Sequence, residues 1–595
     1  MSQAPQFKNL VELFAKTVER FADHELFGTR QDDGSWSYIT YKEFGEMVNG
    51  FRGGLASLGI GKGDRVAVIS DNRVEWAVGA YATYGLGACY VPMYQKQNAK
   101  DWEYIIRDCS AAVVLVANTE VHEKVSAFIG KIDGLKHVIN FDGPADDATS
   151  YAALVKSDHE APMADPEPSD LCGFIYTSGT TGDPKGVRLS HGNITSNVNA
   201  VQRLFVMNTE DRSLSFLPWA HSFGQTCELH CGFSYGISSA ICDDVTKLVG
   251  YLGDVKPTLL FSVPRIFNKI YDGLNKKMAA GSPIKRMLFQ AAMANANRRR
   301  ELMEKHQTSG WVNFKHSLFD KLVFSKIRLA LGGRLRFAFS GGAAISREVA
   351  EFIDNIGITV YEGYGLSETS PIATVNSPGF QKIGSVGKAV ENVEIIIDKS
   401  AGGGENEGEI LIKGPNVMQG YHNLPEQTKE ALREDGAFRS GDLGWVDDEG
   451  FVYVTGRIKE QYKLENGKYV VPAPLEEQLK LSGYIDQVLV FGDNKPFNVA
   501  IIVPDVVALE GWAKAKGLEG DLKSFLNDPG VKELYTGELD KWSNDVFKGF
   551  EKVRDFRLIT EEFSTDNDML TPTLKLKRRN VLAVYQPMLD EIYTA

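Results

Sequence analysis

Tyr176-Thr-Ser-Gly-Thr-Thr-Gly-Asp-Pro-Lys-Gly186 is the stretch on which the reading of this chain turns. Gly179, Gly182 and Gly186 let the backbone approach a ligand closely and take conformations closed to residues with a Cβ. Thr177, Ser178, Thr180 and Thr181 offer hydroxyl donors, and Lys185 adds a compact positive charge suited to phosphate. The apolar run 171–176 before it reads as a strand, and a glycine-rich loop leaving a strand can wrap a polyphosphate with backbone N–H groups. It is not a Walker-type loop, because Gly186 rather than Ser or Thr follows the lysine. A mere linker would need no lysine. On its own chemistry the loop implies polyphosphate binding and nothing narrower.

Outward from the loop, the upstream third alternates short apolar runs with helical stretches. Strands are expected at 65–70, 88–91, 111–117 and 137–141, with a helix over 72–86. Strands separated by helices predict βαβ units and a parallel sheet. The stretch 143–168, rich in Asp, Ala and Pro, reads as a surface connection. Downstream, apolar runs at 258–263, 335–339 and 357–361 predict a second α/β portion. Between them, 275–335 is helical in pattern and strongly basic. From 383 to 456 short strands and turn signals such as Gly402-Gly-Gly404 and Asp447-Asp-Glu-Gly450 predict a small β-rich, barrel-like unit. After Arg457 the pattern returns to mixed α/β.

The 595 residues carry a formal charge of −13. That argues against general nucleic-acid binding, which needs a basic footprint. Six cysteines with no CxxC pair read as reduced thiols. Cys227, His230 and Cys231, with His221 nearby, do not match a structural-zinc spacing and read as buried small residues. No secretory h-region and no run of about 18 apolar residues is present, so a cytoplasmic protein without a transmembrane helix is expected.

Several further segments carry chemistry. Ser340-Gly-Gly-Ala-Ala344 puts small residues, Gly341, Gly342 and Ala343 among them, where a planar ligand can lie at a strand's C-terminal end. In Tyr361-Glu-Gly-Tyr-Gly-Leu-Ser-Glu-Thr369, Tyr364 can stack on a purine, and Glu368 offers the hard oxygen that Mg²⁺ prefers. Asp442 lies in a Gly-Asp turn, His221 in Leu217-Pro-Trp-Ala-His-Ser-Phe-Gly224, and two lysines close the segment Thr573-Leu-Lys-Leu-Lys577.

In their order along the chain these segments resemble the adenylate-forming superfamily of acyl-CoA synthetases, peptide-synthetase adenylation domains and beetle luciferases. The resemblance covers nearly the whole chain. It implies a large N-terminal domain over 1–457, built of mixed sheets with helices plus the barrel-like part, and a smaller mobile α+β C-terminal domain over 458–595. It also implies roles: Thr177, Ser178, Gly179, Thr180, Thr181, Gly182 and Lys185 at the ATP phosphates; Gly341, Gly342, Ala343, Tyr364 and Gly365 around the adenine; and Ser367 at the α-phosphate, where most members have Thr. Asp442 and Arg457 would hold the ribose, Glu368 and Thr177 a Mg²⁺, and His221 would lie beside the substrate carboxylate. Lys459 falls at the hinge, and Lys463 matches a lysine used with coenzyme A. Spacing from Thr573 selects Lys577 as the adenylation lysine, with Lys575 two residues away as the alternative.

The basic segment 275–335, Val263-Pro-Arg-Ile-Phe267 and Leu570-Thr-Pro-Thr573 resemble long-chain fatty acyl-CoA synthetases in particular. The implied activity is ATP-dependent activation of a fatty acid to acyl-AMP, followed by transfer to coenzyme A. Other readings are a ligase loading a carrier protein, a ligase for another carboxylic acid, a luciferase-like oxygenase, and a silent nucleotide-binding scaffold. Basic residues interleaved with Met287, Trp311, Phe314 and Leu318 also suit an anionic bilayer surface.

Overall fold

The computed structural model describes residues 6–177, 183–401, 406–518, 520–544, 546–571 and 575–594. A six-stranded sheet runs in the order His137–Asn140, Val113–Val116, Arg65–Ile69, Cys89–Met93, Leu171–Thr177, Lys185–Ser190. The first five strands are parallel, as the alternation with helices requires. All four residues of Val113–Val116 and all five of Cys89–Met93 are buried. That continuous burial explains why these strands read as apolar runs rather than alternating ones. The sixth strand was not expected. Lys185–Ser190 turns back antiparallel on Leu171–Thr177, pairing Thr177 with Lys185 and Phe174 with Arg188.

A second sheet follows the order Leu259–Ser262, Phe337–Ser340, Thr359–Gly365, Ile372–Val375, Lys388–Ala389. Its first three strands are parallel and its last two antiparallel. A third, mixed sheet joins Trp36–Thr40 and Glu25–Arg30 to Ser238–Ile241 and Arg212–Ser215. The β-rich part is a four-stranded antiparallel sheet made of Glu394–Asp398, Gly408–Lys413, Phe438–Val446 and Val452–Arg457. One apolar core joins elements from residue 7 to residue 481. Beyond Arg457, Ile485–Phe491, Asn498–Pro504 and Val553–Leu558 form a separate sheet, with one apolar cluster on each face. The C-terminal helix Arg578–Thr594 covers one of them.

Two sequence expectations are refined. The connection 143–168 is strapped to the helix Tyr41–Ser57 rather than lying free. A Cβ on Gly50, Gly53 or Gly54 would come within 2.0, 2.1 or 2.5 Å of the carbonyl oxygens of Val155, His159 and Leu154. The basic segment is mainly helical: Pro264–Ala279 and Pro283–Glu304 are followed by an unbroken helical run from Gly310 to Ala330, with a π-helical stretch at Asp320–Phe324.

Candidate active site

The C-terminal ends of strands Leu171–Thr177, Phe337–Ser340 and Thr359–Gly365 deliver the phosphate loop, the Ser340-Gly-Gly segment and the Tyr364 segment. This is where ligands gather on open α/β sheets. The antiparallel pair Phe438–Val446 and Val452–Arg457 adds Asp442 and Arg457, which face each other in register.

Asp442 is buried, and both its oxygens are engaged. Arg457 Nε donates to Oδ1 at 2.8 Å and the Tyr364 hydroxyl donates to Oδ2 at 2.8 Å. Its backbone N–H is held by Ser440 Oγ at 3.0 Å. A carboxylate accepts about four hydrogen bonds, so two acceptor directions remain, enough for a vicinal diol. Arg457 is held further toward its charged form by Asp442 and Glu460, against the effect of burial.

Glu368 sits on the short 3₁₀ turn Ser367–Thr369. The Tyr421 hydroxyl donates to its Oε1 at 2.9 Å, and its backbone carbonyl accepts from Met418 N at 2.8 Å. Tyr421 was not anticipated. Its ring also lies 5.2 Å beneath the Lys185 ammonium, so it links Lys185 to the Glu368 carboxylate. The turn residue Gly420 before it, at φ +111°, is the only local signal that could have drawn attention to it. Among the described residues no group of three or more His, Cys, Asp or Glu could hold a metal. One oriented carboxylate fits Mg²⁺, which keeps several waters and is held largely by substrate phosphates.

His221 Nδ1 accepts from Phe223 N at 3.2 Å, so its proton resides on Nε2. Burial, with the Lys575 charge adding, pushes its pKa down to about 4. It is a neutral donor at pH 7. Ser222 and Ser367 share a hydrogen bond between hydroxyls at 3.1 Å, which ties the His221 segment to the Glu368 turn. His221 leads into a π-helix, Phe223–Cys231, whose residues from Gly224 onward are buried. Cys227, His230 and Cys231 lie there, and His230 is bonded to Tyr81 at 2.9 Å.

The glycines have distinct reasons. Gly342 takes φ +82°, open to glycine at little cost. A Cβ on Gly341 would sit 3.3 Å from the Phe223 ring. Gly365 is required by packing: a Cβ there would lie 1.6 Å from the Pro371 carbonyl oxygen. Ala343 is exposed at the rim. Thr177 ends its strand, half-buried, at the mouth of the loop. Ser178, Gly179, Thr180, Thr181 and Gly182 lie outside the described residues.

The two C-terminal lysines part company. Lys575 projects into the cleft, open to water yet walled by protein. Burial and Arg457 hold its ammonium below the usual lysine range, while Asp442, Glu460 and Glu368 draw it back. Lys577, the residue that spacing selects, pairs with Asp568 instead. The cause is local: Lys577 N bonds the Met569 carbonyl, and Leu576 bridges to Leu570. That short antiparallel pairing sends side chains 575 and 577 to the face opposite Leu576, and the Lys577 charge also acts on Asp101 of the helix Ala99–Asp108. Lys459 is exposed just past Arg457, and Lys463 stands on the hairpin Tyr462–Lys463 with its ammonium 5.5 Å from the Tyr469 ring. The cleft does not include either of them.

Comparison with known proteins places the chain among its relatives. Residues 14–422 match the family model described as AMP-binding enzyme, and 459–518 the AMP-binding enzyme C-terminal domain. A relative from Mycobacterium bovis, long-chain-fatty-acid–CoA ligase FadD15, is 34% identical over 574 residues, 94% of this chain and 93% of its own. Long chain acyl-CoA synthetase 4 of Arabidopsis thaliana is 30% identical over 617 residues, 98% and 91% of the two chains. Among solved structures, the anthranilate CoA ligase AuaEII with anthranoyl-AMP aligns with a TM-score of 0.73 at 19% identity, over 97% of each chain. The A domain of the carboxylic acid reductase from Segniliparus rugosus, with AMP and a carboxylic acid, gives 0.77 at 20% identity over 100% of this chain and 95% of its own. At such identities the structural matches speak for the fold alone. Both parts of the chain match one family, and its relatives align with it nearly end to end: the chain belongs to the AMP-binding, adenylate-forming enzymes.

Proposed function

We propose that the protein is a long-chain fatty acid–CoA ligase that forms AMP. The observation that carries this reading is the convergence of Tyr364, Asp442, Arg457, Glu368, His221 and Lys575 on one cleft beside the phosphate hairpin. Relatives bearing long-chain ligase names at 30–34% identity supply the substrate class.

The reaction joins two anions, so charge neutralisation and in-line positioning matter more than covalent catalysis. Tyr364 stacks on the adenine, and Asp442 accepts from the ribose hydroxyls while Arg457 fixes its orientation. A fatty carboxylate oxygen attacks the α-phosphorus, the bond to the β-phosphate oxygen breaks, and pyrophosphate leaves. Lys575 and Lys185 neutralise charge on the phosphates, and neutral His221 donates from Nε2 beside the carboxylate. Mg²⁺ held by Glu368 would screen the polyphosphate charge. In the second half the coenzyme A thiolate attacks the acyl carbon and AMP departs. The part after Arg457 moves about Lys459 between halves, withdrawing Lys575 and bringing in the face that bears Lys463.

The same reading extends to location. No helix among the described residues is long and apolar enough to cross a membrane. A cytoplasmic enzyme that rests on an anionic membrane face fits a substrate that partitions into lipid. The helical run Gly310–Ala330 supports this: Trp311, Phe314, Leu318 and Leu322 form an exposed apolar stripe between lysines 315 and 321.

The test is pyrophosphate release with acids from acetate to oleate, with and without coenzyme A. Long-chain acids should give the highest turnover, and acyl-CoA should form only with coenzyme A. A preference for acetate or an aryl acid, or no thioester from free coenzyme A, would replace the assignment with another adenylating ligase.

A further inference from the structure

A cavity of about 710 Å³ lies at the end of the six-stranded sheet away from the phosphate loop. It is bordered by residues at the starts of strands, among them Arg65, Cys89 and Leu171, and by Arg188 on the return strand of the hairpin. Three cations, Lys62, Arg65 and Arg188, meet one carboxylate there, Asp170. Lys62 reaches Asp170 at 3.6 Å. Arg65 donates to the carbonyls of Gly63, Cys109 and Ser110. Arg188 differs from both. It is half-buried, and its guanidinium makes no hydrogen bond or ion pair with any described residue. A partly desolvated charge without a partner is costly, and a guanidinium fits phosphate oxygens in pairs. The Phe174 and His422 rings, stacked 4.6 Å apart, give the cavity a flat aromatic wall.

We propose that this cavity binds a small organic phosphate monoester and that its occupancy is felt at the nucleotide site. The excess of cations suits a dianion, and the volume and aromatic wall suit one carried on an organic body rather than inorganic phosphate. The route to the nucleotide site is short. The backbone of Arg188 is bonded to Gly420 and Gln419, and His422 N to the Gly186 carbonyl. Within that five-residue segment His422 and Asn423 line the cavity, whereas Tyr421 turns the other way to Glu368 and Lys185. Displacing the segment from the cavity side moves the residue that orients Glu368. The binding itself is independent of the proposed ligase activity; only the coupling rests on it.

The test is calorimetric titration of the full-length protein with phenyl phosphate, with saturating adenosine, which carries no phosphate, occupying the nucleoside part of the nucleotide site. The wild type binds, and Arg188→Gln and Lys62→Gln each weaken binding at least tenfold while keeping the wild-type melting temperature within a few degrees. No binding, or equal affinity in both variants, overturns the site. Equal binding of benzoate overturns the assignment to a phosphate monoester. Phenyl phosphate also changes the KM for ATP in the wild type and not in Arg188→Gln; an unchanged KM overturns the coupling. Titration without adenosine keeps the first result readable should the protein prove not to use ATP.

Discussion

Tyr364 donates its phenolic hydrogen to Asp442 Oδ2 at 2.8 Å, from a strand 78 residues away in sequence. Under the proposed function this bond fixes the aromatic face for adenine to the carboxylate for ribose, so one unit would hold base and sugar. Tyr364→Phe keeps the ring and removes the tie. The loss of one hydrogen bond to a charged group is worth about 1.5–3 kcal/mol. We expect kcat/KM for ATP to fall by roughly 10- to 100-fold on that scale, mostly through KM. Asp442→Asn should cost more, because it removes the negative charge beside the Arg457 guanidinium and turns the oxygen that accepts from Tyr364 into a donor. ATP–pyrophosphate exchange measures both, and an unaffected KM for ATP in either variant would remove these residues from the nucleotide site.

Lys575 and Lys577 are separated by experiment on the two half-reactions. Lys575→Ala should depress ATP–pyrophosphate exchange by about two orders of magnitude or more, the scale of losing one charge-stabilising donor. It should leave thioester formation from supplied acyl-AMP nearly intact. Lys577→Ala should change neither by more than a few-fold. The reverse pattern would return the role to Lys577. The pH profile adds a second check. Surrounding protein and Arg457 hold the Lys575 pKa below 10.5, so the free enzyme should lose exchange activity as pH rises through that lowered value. Lys575→Arg, which stays charged, should move the alkaline limb upward.

How far the sequence could be read is visible in these same residues. The parallel strands were legible because burial on both faces leaves apolar runs of four or five residues, as at 113–116 and 89–93. The return strand Lys185–Ser190 was not, because Lys185 and Arg188 interrupt its apolar residues and it is bounded by the loop rather than by a turn signal. Asp442, Arg457 and Glu368 were singled out through motif order, which fixes positions but not partners. Tyr421 escaped because its role arises from a contact across 53 residues. The choice between Lys575 and Lys577 could not be made by counting from Thr573, since a two-residue step leaves both side chains on one face of an extended segment. Only the bonds anchoring Lys577 to Met569 and Asp568 decide which enters the cleft.

Glu228 gives a prediction about stability rather than turnover. It is buried on the π-helix, where Ser215 Oγ donates to Oε2 at 2.8 Å and Oε1 has no partner. Burial raises its pKa from 4.5 to about 8. The folded protein therefore binds a proton that the unfolded chain releases above pH 4.5. Stability from this group is full below that value and is lost as pH rises toward 8, by an amount on the order of a few kcal/mol. Glu228→Gln carries no such penalty. The melting temperature of the wild type relative to this variant should fall steadily between pH 4.5 and 8 and level off above. A constant difference across that range would mean that Glu228 is ionised in the folded state.

The exposed stripe on Gly310–Ala330 is open to direct measurement. Trp311 and Phe314 are 64% and 63% exposed and their rings stack 5.9 Å apart, with the Lys315 ammonium 4.9 Å from the Trp311 ring. An aromatic pair beside lysines suits the boundary between headgroups and acyl chains, where rings bury and ammonium groups stay wet. A protein of net charge −13 gains nothing from an anionic surface except through such a patch, so salt should weaken binding steeply. We expect sedimentation with vesicles containing phosphatidylserine but not with pure phosphatidylcholine. Trp311→Ser with Phe314→Ser should abolish it, because both rings leave the interface. Lys315→Gln with Lys321→Gln should weaken it about tenfold or more, at roughly 1 kcal/mol per cation. Turnover of a short, soluble acid should be unchanged in all four substitutions, since none lies in the cleft. Turnover of oleate presented in vesicles should drop. Binding that ignores lipid charge, or that survives loss of both rings, would assign this stripe to something other than a bilayer.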